Sequence, residues 1–147
     1  MKKSVGAVIY FKDKYLIQKR SNKKNIYFPN LFGVFGGNVE KKEKIIKAVI
    51  REIFEELNIK LNSKQVKFFL KISFYSRHFL KNRSRFYFFV KILKSQLNSI
   101  NLKEGQSYHF INIRKIKKLD FVPWDLSAIL YFDKYVRKNK SIKPKRV

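Results

Sequence analysis

The sequence predicts one domain with a mixed α/β sandwich fold. Segments rich in β-branched and aromatic residues lie on both sides of one long amphipathic segment, and a second helix is expected near the end of the chain. The chain has 147 residues, 45% of them hydrophobic and 16% aromatic, which is enough apolar material for one buried core. No internal repeat is evident, so we expect residues 1–137 to form the domain and residues 138–147 to form a basic tail.

The first part of the chain is expected to form three strands. Residues 4–11 and 15–20 are predicted to be two strands joined by a tight turn at residues 12–14. A polar loop at residues 21–30 follows, and a short strand at residues 31–35 leads the chain to a pair of glycines.

The long amphipathic segment, residues 44–57, is predicted to be a helix. It contains no Gly or Pro, and its apolar residues recur every three to four positions, from Ile46 through Ile53 to Leu57. This spacing puts the apolar side chains on one face, which we expect to be buried.

The second half of the chain is expected to add three strands and a short connection. Residues 65–75 and 85–93 are rich in Phe, Tyr, Val and Ile, as strands are, and we expect them to pair across a basic loop at residues 77–83. Residues 108–113 are predicted to form a further strand, and residues 114–119 a short helix or turn.

A closing helix is predicted at residues 124–136. Pro123 suits the first turn, where a helix does not need the missing N–H, and Leu126, Ile129 and Leu130 supply part of a buried stripe. With strands on both sides of the central helix, this second helix completes the mixed α/β sandwich.

Basic residues dominate the composition. The formal net charge is +25, the basic residues are spread along nearly the whole chain, and Lys outnumbers Arg 27 to 8. A Lys-rich composition gives such a charge without any partner, so a nucleic-acid partner is the less favoured interpretation. The absence of cysteine excludes disulfides, thiolate metal sites and Cys nucleophiles.

No targeting or membrane-spanning segment is apparent. The first apolar stretch, residues 5–11, is only seven residues long, and no stretch approaches the roughly 18 apolar residues that a spanning helix needs. We therefore expect a cytoplasmic protein with no membrane association.

The long predicted helix carries a cluster of acidic side chains. Glu52, Glu55 and Glu56 stand at i, i+3 and i+4, so their carboxylates are neighbours and repel one another by ~0.2–0.5 kcal/mol per pair. Five of the ten acidic residues of the chain lie within residues 40–56. A hard divalent cation such as Mg²⁺ prefers oxygen ligands and would relieve the repulsion. Taken alone, a solvated surface with ion pairs to nearby lysines would explain the same cluster.

The full pattern of residues 37–59 is more specific than the cluster. It reads G-x5-E-x7-R-E-U-x-E-E-x-G-U, where U is a bulky aliphatic residue, and the chain matches every position except the second Gly, which is Asn58. This pattern resembles the signature of the Nudix hydrolases, enzymes that hydrolyse a nucleoside diphosphate linked to another moiety. The resemblance implies an α/β/α sandwich with a mixed central β-sheet.

The resemblance also implies roles for individual residues. The Gly37 carbonyl and the carboxylates of Glu52, Glu55 and Glu56 would bind the metal, which we expect to be Mg²⁺ with Mn²⁺ as the alternative. Glu43 would pair with Arg51 and fix the loop against the helix. Glu52 is the first candidate for the general base, and Glu104 is the second.

Two positions depart from the family pattern. Asn58 replaces a Gly just past the helix end, where the backbone is often left-handed; since Asn tolerates that conformation best after Gly, we expect a small loss of stability. Phe35 replaces the Pro that commonly precedes the Gly pair, and we expect it to change either the stiffness of the loop or the surface facing the substrate.

Three further positions resemble the MutT-type subgroup. Arg20, at the end of the second strand, is a candidate for contact with the substrate phosphates, and the alternative is an ordinary surface Arg. Glu104, within residues 103–106, resembles a loop Glu that reaches the metal site. Asp125, within residues 123–125, resembles a base-recognition residue, although an acid near a helix N-terminus is also favoured by the helix dipole.

Three functions remain open on the sequence alone. The first is hydrolysis of a nucleoside triphosphate, with an ordinary or an oxidised purine, to the monophosphate and pyrophosphate. The second is hydrolysis of nucleotide sugars or dinucleoside compounds, and the third is a noncatalytic nucleotide- or RNA-binding module. We expect specificity to depend on the loops at residues 21–30 and 76–84, and the sequence leaves open whether the protein is a monomer or a homodimer.

Overall fold

A mixed six-stranded β-sheet lies at the centre of the structure, a computed structural model that describes residues 2–77 and 80–138. The strands are β1 (Lys2–Phe11), β2 (Lys14–Lys19), β3 (Phe32–Gly33), β4 (Val66–Ser76), β5 (Lys81–Lys91) and β6 (Ser107–Asn112). Strand β1 runs parallel to β5 and antiparallel to β2. Strand β5 is antiparallel to β4, and β2 also pairs antiparallel with β3 and β6.

Helices cover both faces of this sheet. The helices are α1 (Ile45–Leu57), α2 (Lys94–Asn98), α3 (Ile113–Ile116) and α4 (Pro123–Tyr131). Helix α1 lies on one face, and α4, which continues into a π-helical segment at Phe132–Val136, lies on the other. No helix among the described residues is long and apolar enough to cross a bilayer.

Two hydrophobic cores form because neighbouring side chains of a strand point to opposite faces. In β1, Val5, Ala7 and Ile9 pack toward α1, whereas Val8 packs toward α4. In β5, Phe86, Phe88 and Val90 face α1, whereas Tyr87 faces α4. The predicted α/β/α sandwich with a mixed central sheet is therefore confirmed.

Helix α1 ends as the sequence suggests. Asn58 has φ 58° and ψ 25°, in the left-handed region, and its backbone N–H donates to the Phe54 carbonyl at 2.8 Å. The expectation that Asn58 takes the conformation usual for a Gly at this position is confirmed.

Several element boundaries differ from the predictions. The loop predicted at residues 77–83 is shorter, because β5 already begins at Lys81 and its polar residues pair with β1, as in Lys3 with Ser84. The strand predicted at residues 31–35 shrinks to β3, and the predicted closing helix is α-helical only to Tyr131. Helix α2 was not predicted. The predicted tail lies outside the described residues except for Lys138.

Candidate active site

Arg51 joins the loop before α1 to the helix itself. Its Nε donates to Glu43 Oε1 at 2.9 Å, and its Nη2 donates to Glu43 Oε2 and to the Asn38 carbonyl, both at 3.0 Å. Such a two-point Arg–carboxylate pair fixes orientation as well as charge. The hydrogen bond from Arg51 lowers the pKa of Glu43, so this carboxylate stays ionised.

The same guanidinium also touches two of the predicted metal ligands. Nη1 of Arg51 donates to Glu52 Oε1 at 3.0 Å and to Glu55 Oε2 at 2.9 Å. The side chain of Glu55 is 51% exposed, whereas that of Glu52 is 15% exposed. Arg51 thus compensates part of the negative charge that the sequence concentrates on α1.

Glu56 is the buried member of the acidic cluster. Its Oε2 accepts a hydrogen bond from the Gly36 N–H at 2.8 Å, and no ion pair neutralises its carboxylate within the described part of the chain. Burial, together with the charges of Glu52 and Glu104, raises the pKa of Glu56 to about 8. Burial also raises the pKa of Glu52, with Glu55 and Glu104 adding to the effect.

Glu104 is held beside these carboxylates by its neighbours. The Lys103 N–H donates to the Glu56 carbonyl at 2.8 Å, and the Gln106 N–H donates to the Lys19 carbonyl at 3.0 Å. Gly105 lies between them with φ 85°, a conformation that suits glycine. The loop is therefore attached both to the end of α1 and to the end of β2.

Gly37 brings the backbone against Glu52. A Cβ atom at this position would lie 2.5 Å from both carboxylate oxygens of Glu52, so only glycine fits without a shift. The Gly37 carbonyl accepts the Val5 N–H at 2.8 Å, and its second lone pair remains available to a metal ion.

The donor set fits a hard divalent cation in its chemistry. Among the residues described, no three acidic or histidine side chains already surround one point as a metal cluster, and Arg51 lies against Glu52 and Glu55 instead. The residues that would hold the ion are all oxygen donors, and a cation would offset the burial of Glu56. These donors are Glu52, Glu55, Glu56 and the Gly37 carbonyl.

Two adjoining cavities open at this place. The acidic cavity, about 660 Å³, is lined by Gly37, Arg51, Glu52, Glu56 and Glu104 among others. The aromatic cavity, about 290 Å³, is lined by Tyr27, Phe28, Phe74, Trp124 and Asp125 among others. Five residues line both cavities and form their junction: Arg20, Ile26, Gly36, Gly37 and Asn38.

The other predicted substrate residues lie at different places. Arg20 lies at the junction, where its Nε donates to the Tyr27 carbonyl at 3.0 Å. Phe35 is wholly buried in the core on the α1 side and lines neither cavity, because its backbone bridge to Ala7 turns the side chain inward. Its expected effect on the substrate-facing surface is thus not evident in the geometry.

Asp125 lies almost wholly buried on the wall of the aromatic cavity. Its Oδ1 accepts from the Tyr87 hydroxyl at 2.6 Å and from Arg85 Nε at 3.1 Å, and its Oδ2 accepts from the Val34 N–H at 3.1 Å. Three protein donors therefore already use this carboxylate.

Sequence reasoning missed the two arginines of β5 that line the aromatic cavity, Arg83 and Arg85. Together with Tyr87 they alternate along the strand, so a period-two pattern of polar residues was the available signal. Three of the eight arginines of the chain line this cavity, and none of the described lysines does.

Comparisons with known proteins agree with this arrangement. The sequence profile of the NUDIX domain matches residues 1–132. No curated protein sequence matches the chain. Among solved structures, the MutT protein from Methanosarcina mazei Go1 is 21% identical, with a TM-score of 0.73 over 95% of this chain and 96% of that one. A C. elegans Ap4A hydrolase is 22% identical, with a TM-score of 0.74 over 95% and 100% of the two chains.

These structures share the fold, and the profile match covers most of the chain. The glutamates of α1, Gly37 and the Glu43–Arg51 pair all lie within the matched range. The chain therefore belongs to the NUDIX family.

Proposed function

We propose that the protein hydrolyses a nucleoside triphosphate to the monophosphate and pyrophosphate, with Mg²⁺ as the metal and Mn²⁺ as the alternative. One observation carries this proposal: the acidic cavity and the aromatic cavity meet at Gly36, Gly37 and Asn38, with Arg20 on both. A nucleotide whose base lies in the aromatic cavity would have its phosphates at the junction. Its scissile bond would then lie beside the carboxylates of the acidic cavity.

Some residues of the acidic cavity would hold the metal ion, and others would accept a proton from the attacking water. Glu52, Glu55, Glu56 and the Gly37 carbonyl would hold the metal, which when bound neutralises the diphosphate and lowers the pKa of a bound water. Arg20 would bind phosphate oxygens through its Nη groups, because only its Nε is engaged by the described residues.

Glu52 and Glu104 are the candidates for accepting the proton of the attacking water. Glu104 belongs to a loop fixed at both ends, on Glu56 and on Lys19, and it raises the pKa of Glu52 and Glu56 by its charge. The variants E52Q and E104Q distinguish the two candidates, because Glu52 is a proposed metal ligand and Glu104 is not. Comparing their turnover and metal binding separates loss of the metal from loss of the general base.

A dinucleoside or nucleotide-sugar substrate is the second candidate. It is supported by the rings on the aromatic cavity, Tyr27, Phe28, Phe74 and Trp124, which offer stacking surface for a second nucleoside, and by the fold shared with an Ap4A hydrolase. In either case we propose that the partner is a small nucleotide.

The experiment is a product assay on triphosphates, oxidised purine triphosphates, nucleotide sugars and dinucleoside polyphosphates. It is run with Mg²⁺, with Mn²⁺ and with a chelator. We expect pyrophosphate from a triphosphate, no turnover with the chelator, and a loss of at least about 100-fold in E56Q.

D13N is the matched control, because it removes one carboxylate charge at an exposed turn away from both cavities. Near-normal turnover in E56Q would overturn the metal assignment. A folded protein that binds nucleotides in the presence of metal but releases no product would favour the noncatalytic module instead.

A further inference from the structure

Arg85 presents hydrogen-bond donors to the aromatic cavity from a buried position. Its side chain is 11% exposed, its Nε donates to Asp125 Oδ1 at 3.1 Å, and its guanidinium lies 5.4 Å from the centre of the Tyr87 ring. The Tyr87 hydroxyl is a second hydrogen-bond partner of this guanidinium. Since a guanidinium has five N–H donors, Asp125 and Tyr87 leave further donors of Arg85 for the cavity that it lines. An arginine has donors only, so this part of the wall suits an acceptor.

The pairing of Arg85 with Asp125 decides which kind of acceptor fits. Because the pair is neutral as a whole, the remaining donors of Arg85 suit a neutral carbonyl better than a fully charged phosphate. Arg20 differs, since it forms no ion pair with the described carboxylates and lies at the junction with the acidic cavity. The two arginines are thus suited to different parts of one substrate.

The neighbouring aromatic rings favour a flat ligand group. The Trp124 ring is stacked on Phe74 at 4.4 Å with an interplanar angle of 22°, and on Tyr27 at 5.5 Å and 24°. All three residues line the aromatic cavity together with Arg85. A planar ring bound in this cavity would therefore have both aromatic side chains and the Arg85 guanidinium in its surroundings.

We propose that Arg85 determines the base specificity of the enzyme by donating to a carbonyl on the edge of the nucleobase. Bases with an oxo group at that edge, such as hypoxanthine, guanine and uracil, then bind better than the corresponding amino bases, adenine and cytosine. An amino group would place a donor against the donors of Arg85. Asp125 is the positioning residue that holds Arg85, and the inference rests on the proposed function only in assigning the base to this cavity.

The test measures binding without hydrolysis, using nucleoside monophosphates and no metal. Trp124 is the only tryptophan of the chain and lines the cavity, so quenching of its fluorescence reports a ring bound beside it. The pairs IMP with AMP and UMP with CMP differ at the edge that Arg85 would read. We expect the oxo member of each pair to bind roughly 5- to 150-fold more tightly, the range that a good two-point contact to a base supports.

Substitution R85K retains the charge beside Asp125 and removes the planar fork, so it should bring both affinity ratios close to one. R114K is the matched control, because the same change at an exposed residue of α3 should leave the ratios unchanged. D125N should lower the ratios as well. A ratio measured within one preparation does not depend on the folded fraction, so a purely structural effect of D125N would leave it unchanged.

Equal binding of IMP and AMP, or of UMP and CMP, by the wild-type protein would overturn the proposal without any variant. A ratio that survives R85K would also overturn it. Selective binding with no hydrolysis of any triphosphate would refute the proposed reaction and leave the role of Arg85 standing. Hydrolysis of a triphosphate without base selectivity would support the proposed reaction and refute the role of Arg85.

Discussion

Glu56 couples the stability of the metal-free protein to pH. Burial raises the pKa of Glu56 from its ordinary value of 4.5 to about 8, so folding favours the protonated form. Its contribution is therefore fully present below pH 4.5 and is lost as the pH rises toward 8, by up to about 5 kcal/mol. We expect chelator-treated wild-type protein to lose stability against urea over this interval relative to E56Q, which cannot ionise there. Parallel pH profiles of the two proteins would contradict the assignment.

Gly37 and the preceding Gly36 offer a matched pair of alanine substitutions. In G37A the new Cβ would meet the Glu52 carboxylate, so Glu52 must move, and a shift of about 1 Å can cost about 100-fold in turnover. In G36A the Cβ would lie 2.4 Å from the Val5 carbonyl at a residue with φ 131°, so the fold itself should fail. Turnover and thermal unfolding of both variants check this. A fully active G37A would show that the position of Glu52 is not critical.

The left-handed end of α1 predicts a small gain from restoring the family glycine. At φ 58° the Asn58 backbone has steric strain that a glycine would not have. N58G should therefore stabilise the protein by roughly 0.5 kcal/mol, and N58A should destabilise it by about 1 kcal/mol. Urea unfolding of the two variants measures both changes. If N58A were the more stable of the two, the conformation assigned to this residue would be wrong.

The elements also show what a sequence can and cannot predict. Helix α1 and its acidic cluster were predictable because the apolar repeat, Arg51 and the glutamates lie within one continuous segment. The wall of the aromatic cavity was not, because Asp125 meets Arg85 and Tyr87 only through the packing of α4 against the sheet, across 40 and 38 positions of the chain. The direction of the Phe35 side chain was not predictable either, since it depends on the bridge to β1.

Between elements, Asp125 ties α4 to β5 and to the segment after β3. Removing its carboxylate in D125A would leave the Arg85 guanidinium buried without its partner, which typically costs about 3–5 kcal/mol. The double variant D125A with R85M removes both charges and should recover a large part of that loss. Thermal unfolding of the single and double variants gives the coupling between the two positions. Additive losses would show that the pair does not hold these elements together.

The molecule as a whole has a formal charge of +25, although glutamates line its acidic cavity. Such a field attracts anionic nucleotides to the protein, and salt screens it with a Debye length of about 10 Å at 0.1 M. We therefore expect kcat/KM for a triphosphate to fall several-fold as KCl is raised at constant free Mg²⁺. We expect kcat to change little, because salt screens partly buried charges at short range much less than exposed charges. Steady-state kinetics over a salt series measures both. A salt-independent kcat/KM would mean that the positive charge has no part in substrate capture and reflects the Lys-rich composition alone. An equal fall in kcat would mean that salt acts on the active site itself.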